Sequence, residues 1–251
     1  MHDEAELTAR IHSRETFGTV DGPGIRYVVF FQGCPLQCLF CHNRDTWDAH
    51  AGESVGLEAL LSDVLSYKAF IDSSGGGFTA TGGEPLMQAR FVATLFERLQ
   101  RKGVHTALDT SGYRRIDTRV DTLLDHTDLV LLDIKHLDDV IHRKLVGVPN
   151  APILSFADHL AARNQRTWLR HVVVPGYSDD PRHSARLADY AAGLGNIERV
   201  ELLPYHEMGA HKWEALGYTY KLKGTEPPPA ALMREIKAVF EERGLTVSLS
   251  D

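Results

Sequence analysis

Short apolar runs alternate with amphipathic stretches along most of the chain. Residues 27–31 are apolar without interruption, which is typical of a β-strand buried on both faces. In residues 57–71 the apolar positions recur with helical spacing, which predicts a helix with one buried face. The alternation of strand and helix then continues. The later predicted strands are 78–81, 106–109, 129–134, 168–174 and 199–204, with an edge strand at 245–249, and the later predicted helices are 88–101, 119–125, 156–163, 181–194 and 230–243.

Six strands that alternate with helices predict a parallel sheet with right-handed crossovers. No linker or low-complexity segment divides them, so we expect residues 1–251 to form a single domain. Each strand is followed by polar or cysteine residues, and the loops at the carboxyl ends of barrel strands converge on one mouth. An open doubly wound sheet offers a crevice only at its switch point. The pattern therefore favours an α/β fold of the partial, open (β/α)6 TIM-like barrel type.

Composition narrows the classes of protein that this chain can be. Of its 251 residues 43% are hydrophobic and 24% are charged, and the formal net charge is −7. A negative chain is poorly suited to non-specific nucleic-acid binding. No apolar run reaches the roughly 20 residues of a membrane-spanning helix, and the acidic residues 1–6 do not resemble a signal peptide. We therefore expect a cytoplasmic protein that binds neither nucleic acid nor membrane.

All three cysteines lie within eight residues, in a C-x3-C-x2-C arrangement that directly follows the first predicted strand. Cys34, Cys38 and Cys41 cannot pair completely in disulfides, and three thiolates on one short loop suit a single metal centre. Soft thiolates favour Cu(I), zinc or iron–sulfur clusters. A structural zinc site that also uses His42 is the alternative, but adjacent ligands do not easily share one tetrahedral ion. A four-iron cluster with one iron left open is the interpretation that we favour.

A second motif, Thr-Gly-Gly-Glu-Pro at 81–85, ends the next predicted strand. Paired glycines let a backbone approach a ligand closely. Together with the cysteine loop, this motif resembles those of radical S-adenosylmethionine (SAM) enzymes. The resemblance implies a [4Fe-4S] cluster held by Cys34, Cys38 and Cys41, whose open iron binds SAM.

Longer stretches narrow the resemblance to the family that activates glycyl radical enzymes, and within it to activation of pyruvate formate-lyase. These stretches are 18–26, 41–47, 172–176, 202–207 and 211–213. The resemblance implies anaerobic activation by reductive cleavage of SAM, in which a 5′-deoxyadenosyl radical removes a hydrogen from a glycine of the partner. No cysteine follows Cys41, so the electron is expected from outside, from a flavodoxin or ferredoxin. We also expect a monomer.

The family's site residues can be placed on matching positions of this sequence. No side chain is expected to act as a catalytic acid or base, because cluster and SAM carry the radical chemistry. The implied SAM contacts are Phe40, Cys41, His42, Gly82, Gly83, Glu84, Asp133, Ile134, Lys135 and His206. A monovalent cation is implied at Asp109, Thr110, Asp133 and Leu203, and a contact with the substrate peptide at Asp21.

Simpler interpretations stay open for several of these residues. Asp109 and Asp133 can cap the turns that follow their strands, Asp21 can be a turn residue, and Lys135 can be a solvated lysine. A non-enzymatic iron–sulfur or zinc protein is the rival from another functional class. Activation of a different glycyl radical enzyme is the nearer rival.

Overall fold

A computed structural model describes residues 7–249, so the acidic stretch 1–6 considered above lies outside the described residues. The described chain forms two compact units. The first takes in the described part of Met1–Cys34 together with Thr46–Thr110 and Arg114–Leu131, and the second takes in Pro35–Asp45, Ser111–Tyr113 and the described part of Leu132–Asp251. Whether the chain is one domain stays a prediction.

Strands and helices alternate as the sequence predicts. The strands are β1 (Thr8–Gly18), β2 (Arg26–Phe31), β3 (Glu53–Gly56), β4 (Gly77–Gly82), β5 (His105–Thr110), β6 (Leu129–Asp133), β7 (Thr167–Val173), β8 (Ile197–Pro204) and β9 (Val247–Leu249). The helices are α1 (Leu57–Ser66), α2 (Lys68–Ser74), α3 (Ala89–Gln100), α4 (Thr118–Asp125), α5 (Asp139–Val146), α6 (Ala151–Ala162), α7 (Pro181–Leu194), α8 (Ala210–Ala215) and α9 (Ala230–Glu241).

The strand order is β3-β1-β2-β4-β5-β6-β7-β8-β9, and the sheet does not close on itself. The predicted α/β fold with an open sheet is confirmed. In the first unit β2, β4 and β5 are parallel, whereas β1 runs antiparallel to both β2 and β3. In the second unit β7, β8 and β9 are parallel.

Three features differ from the sequence-based expectation. The strands β1 and β3 were not predicted, because exposed polar side chains alternate along β1 and hide its buried positions Ala9 and Ile11. The helix predicted over 57–71 is two helices that meet at Tyr67, which ends α1 and begins α2. The short helix α8 was also missed.

Aspartates fix where several helices begin. The side chain of Asp117 accepts hydrogen bonds from the first amides of α4, and Asp138 and Asp180 do the same for α5 and α7. These caps satisfy amides that have no partner inside the helix. Among the described residues, no helix is both long and apolar enough to cross a membrane.

The parallel pairing of β2 and β4 positions the first part of the site. Phe31 lies opposite Gly82, so the loops that follow the two strands begin side by side. One of these loops carries Cys34 and the other carries Gly83.

Candidate cluster and cofactor site

The backbone around the first cysteine is held from two sides in the first unit. Gly33 has a φ of +96°, a conformation that favours glycine, and its amide donates to the carbonyl of Thr46 at 2.7 Å. The amide of Cys34 donates to the carbonyl of Trp47 at 3.4 Å. The cysteine loop therefore leaves β2 through a sharp turn that the residues after the loop hold in place.

The glycine-rich loop lies directly against this turn. The amide of Gly83 donates to the Phe31 carbonyl at 2.9 Å, and that of Glu84 donates to the Gly33 carbonyl at 2.7 Å. A Cβ atom added to Gly83 would lie 2.2 Å from the oxygen of Gly33. No side chain fits at Gly83, so the close approach of the two loops requires glycine there.

Hydrogen bonds of buried side chains stabilise the glycine-rich loop. The carboxylate of Glu84 is 1% exposed and accepts hydrogen bonds from the Thr110 hydroxyl at 2.5 Å and the Leu86 amide at 3.1 Å. The hydroxyl of Thr81 donates to Asp109 at 2.6 Å. The Glu84 carboxylate therefore stabilises the glycine-rich loop, and the Asp109 carboxylate is bonded to the neighbouring strand β4.

The other two cysteines belong to the second unit. The amide of Cys41 donates to the Cys38 carbonyl at 3.1 Å, and the segment between the cysteines bonds through the Leu39 amide to the carbonyl of Leu145 at the end of α5. Burial raises the pKa of the Cys38 thiol above its ordinary value, although Lys135 partly opposes this. None of the three cysteines forms a disulfide.

Lys135 lies at the carboxyl end of β6 in a largely enclosed position. Its Nζ atom is 2.7 Å from the carboxylate of Asp133 and 5.3 Å from the centre of the Phe40 ring. With 8% of its surface exposed, it is not the solvated lysine of the simpler interpretation. Ile134 uses both of its backbone groups, the amide toward Arg170 and the carbonyl toward His171.

His42 and His206 form a pair within the second unit. Their ring centres are 4.3 Å apart, and the Nε2 atom of His42 lies 3.2 Å from the His206 carbonyl. Burial lowers the pKa of His42, so its ring is neutral near pH 7. Within residues 7–249, no group bonds to the buried Nδ1 atom of His206.

The predicted cation ligands do not all lie in one unit. Asp109 and Thr110 end β5 in the first unit, whereas Asp133 and Leu203 belong to the second, where Leu203 is paired with Val172 in the sheet. Asp133 is already bonded to Lys135, and Asp109 to Thr81, as described above.

Asp21 lies on the side of the first unit that carries Asp109. The Asp21 carbonyl accepts a hydrogen bond from the Thr79 hydroxyl at 2.7 Å. Thr79 and Thr81 are two residues apart on β4, so their side chains lie on the same face of the sheet. Thr81 in turn bonds to Asp109, so one face of β4 connects the Asp21 loop with the end of β5.

The residue types present suit the donor set of the group that the sequence implies. The three cysteine thiols form no disulfide, so they can supply the soft donors of an iron–sulfur cluster. The Gly83 turn leaves no room for a side chain, and the buried Nδ1 atom of His206 has unused bonding capacity. In the described part of the chain, no group of three or more His, Cys, Asp or Glu side chains is placed to hold a metal ion.

Two groups of residues have contacts that the sequence did not reveal. Lys212 and Trp213 bond to the segment that follows Cys41, although the sequence showed them only as part of a matching stretch. His136, His171 and His183 form a buried cluster in the second unit. The sequence shows only that these histidines are far apart along the chain, and that spacing does not predict that they are in contact.

Comparison with solved structures shows that the fold is shared with known proteins. Streptococcus suis SuiB bound to its precursor peptide SuiA has a TM-score of 0.69 at 16% identity, covering 92% of this chain and 49% of that one. A domain of a pyruvate-formate lyase-activating enzyme from Bacteroides vulgatus has a TM-score of 0.60 at 24% identity, covering 70% of this chain and 99% of that one.

Sequence comparison gives the family. Residues 28–188 match the Radical SAM superfamily. The pyruvate formate-lyase 1-activating enzyme of Escherichia coli K12 is 52% identical over 239 residues, which are 95% of this chain and 97% of the relative. The pyruvate formate-lyase-activating enzyme of Staphylococcus aureus USA300 is 48% identical over 88% of this chain and 91% of the relative. The chain therefore belongs to the radical SAM superfamily and, within it, to the family of pyruvate formate-lyase-activating enzymes.

Proposed function

We propose that this protein activates a pyruvate formate-lyase by making a glycyl radical on it. The observation that carries the proposal is the 52% identity to a pyruvate formate-lyase 1-activating enzyme over 95% of this chain. The cysteine loop, the glycine-rich turn and the three cysteine thiols support it. When bound, a [4Fe-4S] cluster and SAM supply one-electron cleavage of the SAM sulfonium and hydrogen abstraction from a glycine.

The residues of this chain would bind and orient these groups. Cys34, Cys38 and Cys41 would hold the cluster as thiolates. The amides of Gly83 and Glu84 already donate to the carbonyls of Phe31 and Gly33, so carbonyl oxygens are what the glycine-rich turn can offer to the amino group of SAM. We propose the remaining contacts at Phe40, His42, Gly82, Asp133, Ile134, Lys135 and His206.

Several of these roles follow from the chemistry of the side chains. The free Nδ1 atom of His206 can accept or donate one hydrogen bond to a ligand. Lys135 can pair with a carboxylate, in competition with Asp133. A monovalent cation at Asp109, Thr110, Asp133 and Leu203 belongs to the same proposal, and the ammonium of Lys135 already offsets the charge of Asp133.

The partners follow from the same reasoning. Asp21 would contact the substrate peptide, where its carboxylate can pair with a cation beside the target glycine. A cytoplasmic flavodoxin or ferredoxin would deliver the electron, because the chain has no thiol beyond Cys41 to bind a second cluster. We propose that the protein acts as a monomer.

The test is to reconstitute the protein anaerobically and to incubate it with a reductant, SAM and pyruvate formate-lyase. We expect a glycyl radical signal by EPR on the lyase and release of 5′-deoxyadenosine. The variant Cys41→Ala is the control, and it should form neither product while it retains the circular dichroism of the wild type. Formation of 5′-deoxyadenosine without a glycyl radical would support the SAM chemistry but would refute pyruvate formate-lyase as the substrate.

A further inference from the structure

The segment that follows the third cysteine is held along its whole length by the segment that follows β8. We call residues 209–218 the clamp segment, and it contains α8. The indole Nε1 of Trp213 donates to the carbonyl of Cys41 at 2.9 Å. The ammonium of Lys212 lies 3.2 Å from the Asn43 side-chain oxygen and 3.1 Å from the Asp45 carboxylate. Both segments belong to the second unit.

The residues between these bonds also contact the clamp segment. A Cβ atom added to Gly209 would lie 2.5 Å from the Cα atom of His42, so the two backbones are in direct contact there. The guanidinium of Arg44 lies 3.9 Å from the centre of the Tyr218 ring and 5.6 Å from Trp213, which is within the range of cation–π attraction. Every residue from 41 to 45 is therefore in contact with the clamp segment.

The clamp segment is itself held by packing of its Trp213 ring. Trp213 is 5% exposed, and its ring meets that of Tyr220 edge to face at 5.6 Å. The helix α8 has only six residues, too few to be stable in isolation. Its tertiary contacts, with Trp213 at their centre, must therefore hold it in place.

A hydrogen bond to a carbonyl fixes the plane of the peptide group to which that carbonyl belongs. The carbonyl bound by Trp213 is that of Cys41, so the indole restricts the backbone that aims the Cys41 thiol. Trp213 would therefore act on the thiol through the backbone of Cys41.

We propose that Trp213 is a positioning residue for the cluster ligand Cys41, with Lys212 in a supporting role. The inference rests on the proposed function and adds to it a residue pair that holds residues 41–45. Outer groups that fix the orientation of a ligand tune the centre that the ligand holds, so a change in the direction of the Cys41 thiol should shift the reduction potential of the cluster.

The experiment has one part without metal. Amide exchange of residues 41–45 is measured by mass spectrometry on the cluster-free protein and on its Trp213→Phe and Lys212→Met variants. Loss of one hydrogen bond worth about 1 kcal/mol should raise exchange in this segment about fivefold in Trp213→Phe. Lys212→Met removes a partly exposed ion pair, so amide exchange of residues 41–45 should rise about twofold.

The second part uses the reconstituted protein. Trp213→Phe is expected to bind the same amount of iron as the wild type, with a shifted midpoint potential and altered EPR g-values in the reduced state. The matched controls are Trp168→Phe, an indole on β7 beside Arg199, and Lys237→Met, whose partner Glu241 lies on α9, outside both residues 41–45 and the clamp segment. Both controls should match the wild type in exchange and in potential.

The outcomes separate the two proposals. Wild-type exchange, potential and g-values in both clamp variants would overturn the positioning role. A wild-type protein that binds no cluster would refute the proposed function, while the exchange measurement would still decide whether the clamp holds residues 41–45. If Trp213→Phe does not fold, wild-type exchange in Lys212→Met would by itself overturn the proposal.

Discussion

At the scale of single residues, glycine has different meanings at different positions. At Gly83 the space for a side chain is taken by the Gly33 carbonyl, 2.2 Å from where a Cβ atom would lie. At Gly193, near the end of α7, nothing lies within 4 Å and the backbone is helical. The same substitution should therefore have opposite effects at these two positions.

We expect Gly83→Ala to lower the free energy of unfolding by about 1–3 kcal/mol, the usual cost of forcing an atom into a filled site. Gly193→Ala should raise it by about 0.5–1 kcal/mol, because alanine loses less backbone entropy in a helix. Urea titration of the two cluster-free variants measures both effects. Equal stability of Gly83→Ala and the wild type would show that the two loops can separate at little cost.

At the scale of elements, the end of β6, the strand β7 and the helix α7 meet at three buried histidines. The rings of His136 and His183 are stacked with their centres 3.7 Å apart, and His171 lies 5.5 Å from His183. Burial lowers the pKa of His171 to about 4 and also lowers those of His183 and His136. The other charged groups that act on the three rings are Lys135, Asp133, Asp138, Asp180 and Arg186.

These histidines should make the protein sensitive to acid. Their pKa values are lower in the folded state than the ordinary value of 6.5, so the unfolded state binds more protons below about pH 6.5. The contribution of these histidines to the free energy of unfolding is therefore fully present above about pH 6.5 and is lost as the pH decreases. Replacement by phenylalanine in His183→Phe removes one titrating group and keeps a stacking ring.

Between pH 7 and pH 5, His183→Phe is expected to lose about 2 kcal/mol less unfolding free energy than the wild type. Chemical denaturation at a series of pH values measures the difference. His50→Gln, at an exposed position, is the control. Identical pH profiles for wild type and His183→Phe would mean that folding does not lower the pKa of the His183 ring.

At the scale of the whole molecule, the proposed activity requires two separable functions, SAM cleavage and recognition of a protein substrate. We propose Asp21 for the second alone. Its backbone is held by Thr79, and it does not belong to the cysteine loop or the glycine-rich turn. A change at this carboxylate should therefore affect the partner without affecting the chemistry.

Asp21→Asn is expected to lower the yield of glycyl radical on pyruvate formate-lyase about tenfold, the loss that corresponds to one charge-assisted hydrogen bond. Formation of 5′-deoxyadenosine in the absence of partner should stay at the wild-type level. Both are measured on the same reconstituted sample, by EPR and by chromatography. An unchanged radical yield would favour the simpler interpretation of Asp21 as a turn residue.

The sequence by itself determined the alternation of strands and helices, the α/β fold with an open sheet, and the cysteine and glycine motifs. These follow from local information, because hydrophobic period, capping residues and glycine positions act within a few residues of the chain. β1 and β3 escaped because polar residues dominate β1 and because β3 has only four residues.

Only the tertiary structure decided which donor meets which acceptor. It turned Glu84 inward toward Thr110, paired Lys135 with Asp133, and brought Trp213 to the carbonyl of Cys41 across 172 positions of sequence. Such contacts depend on how distant segments approach, and the sequence pattern around each residue contains no record of that approach. The thiolate loop is therefore visible in the sequence, whereas the contacts that hold it are not.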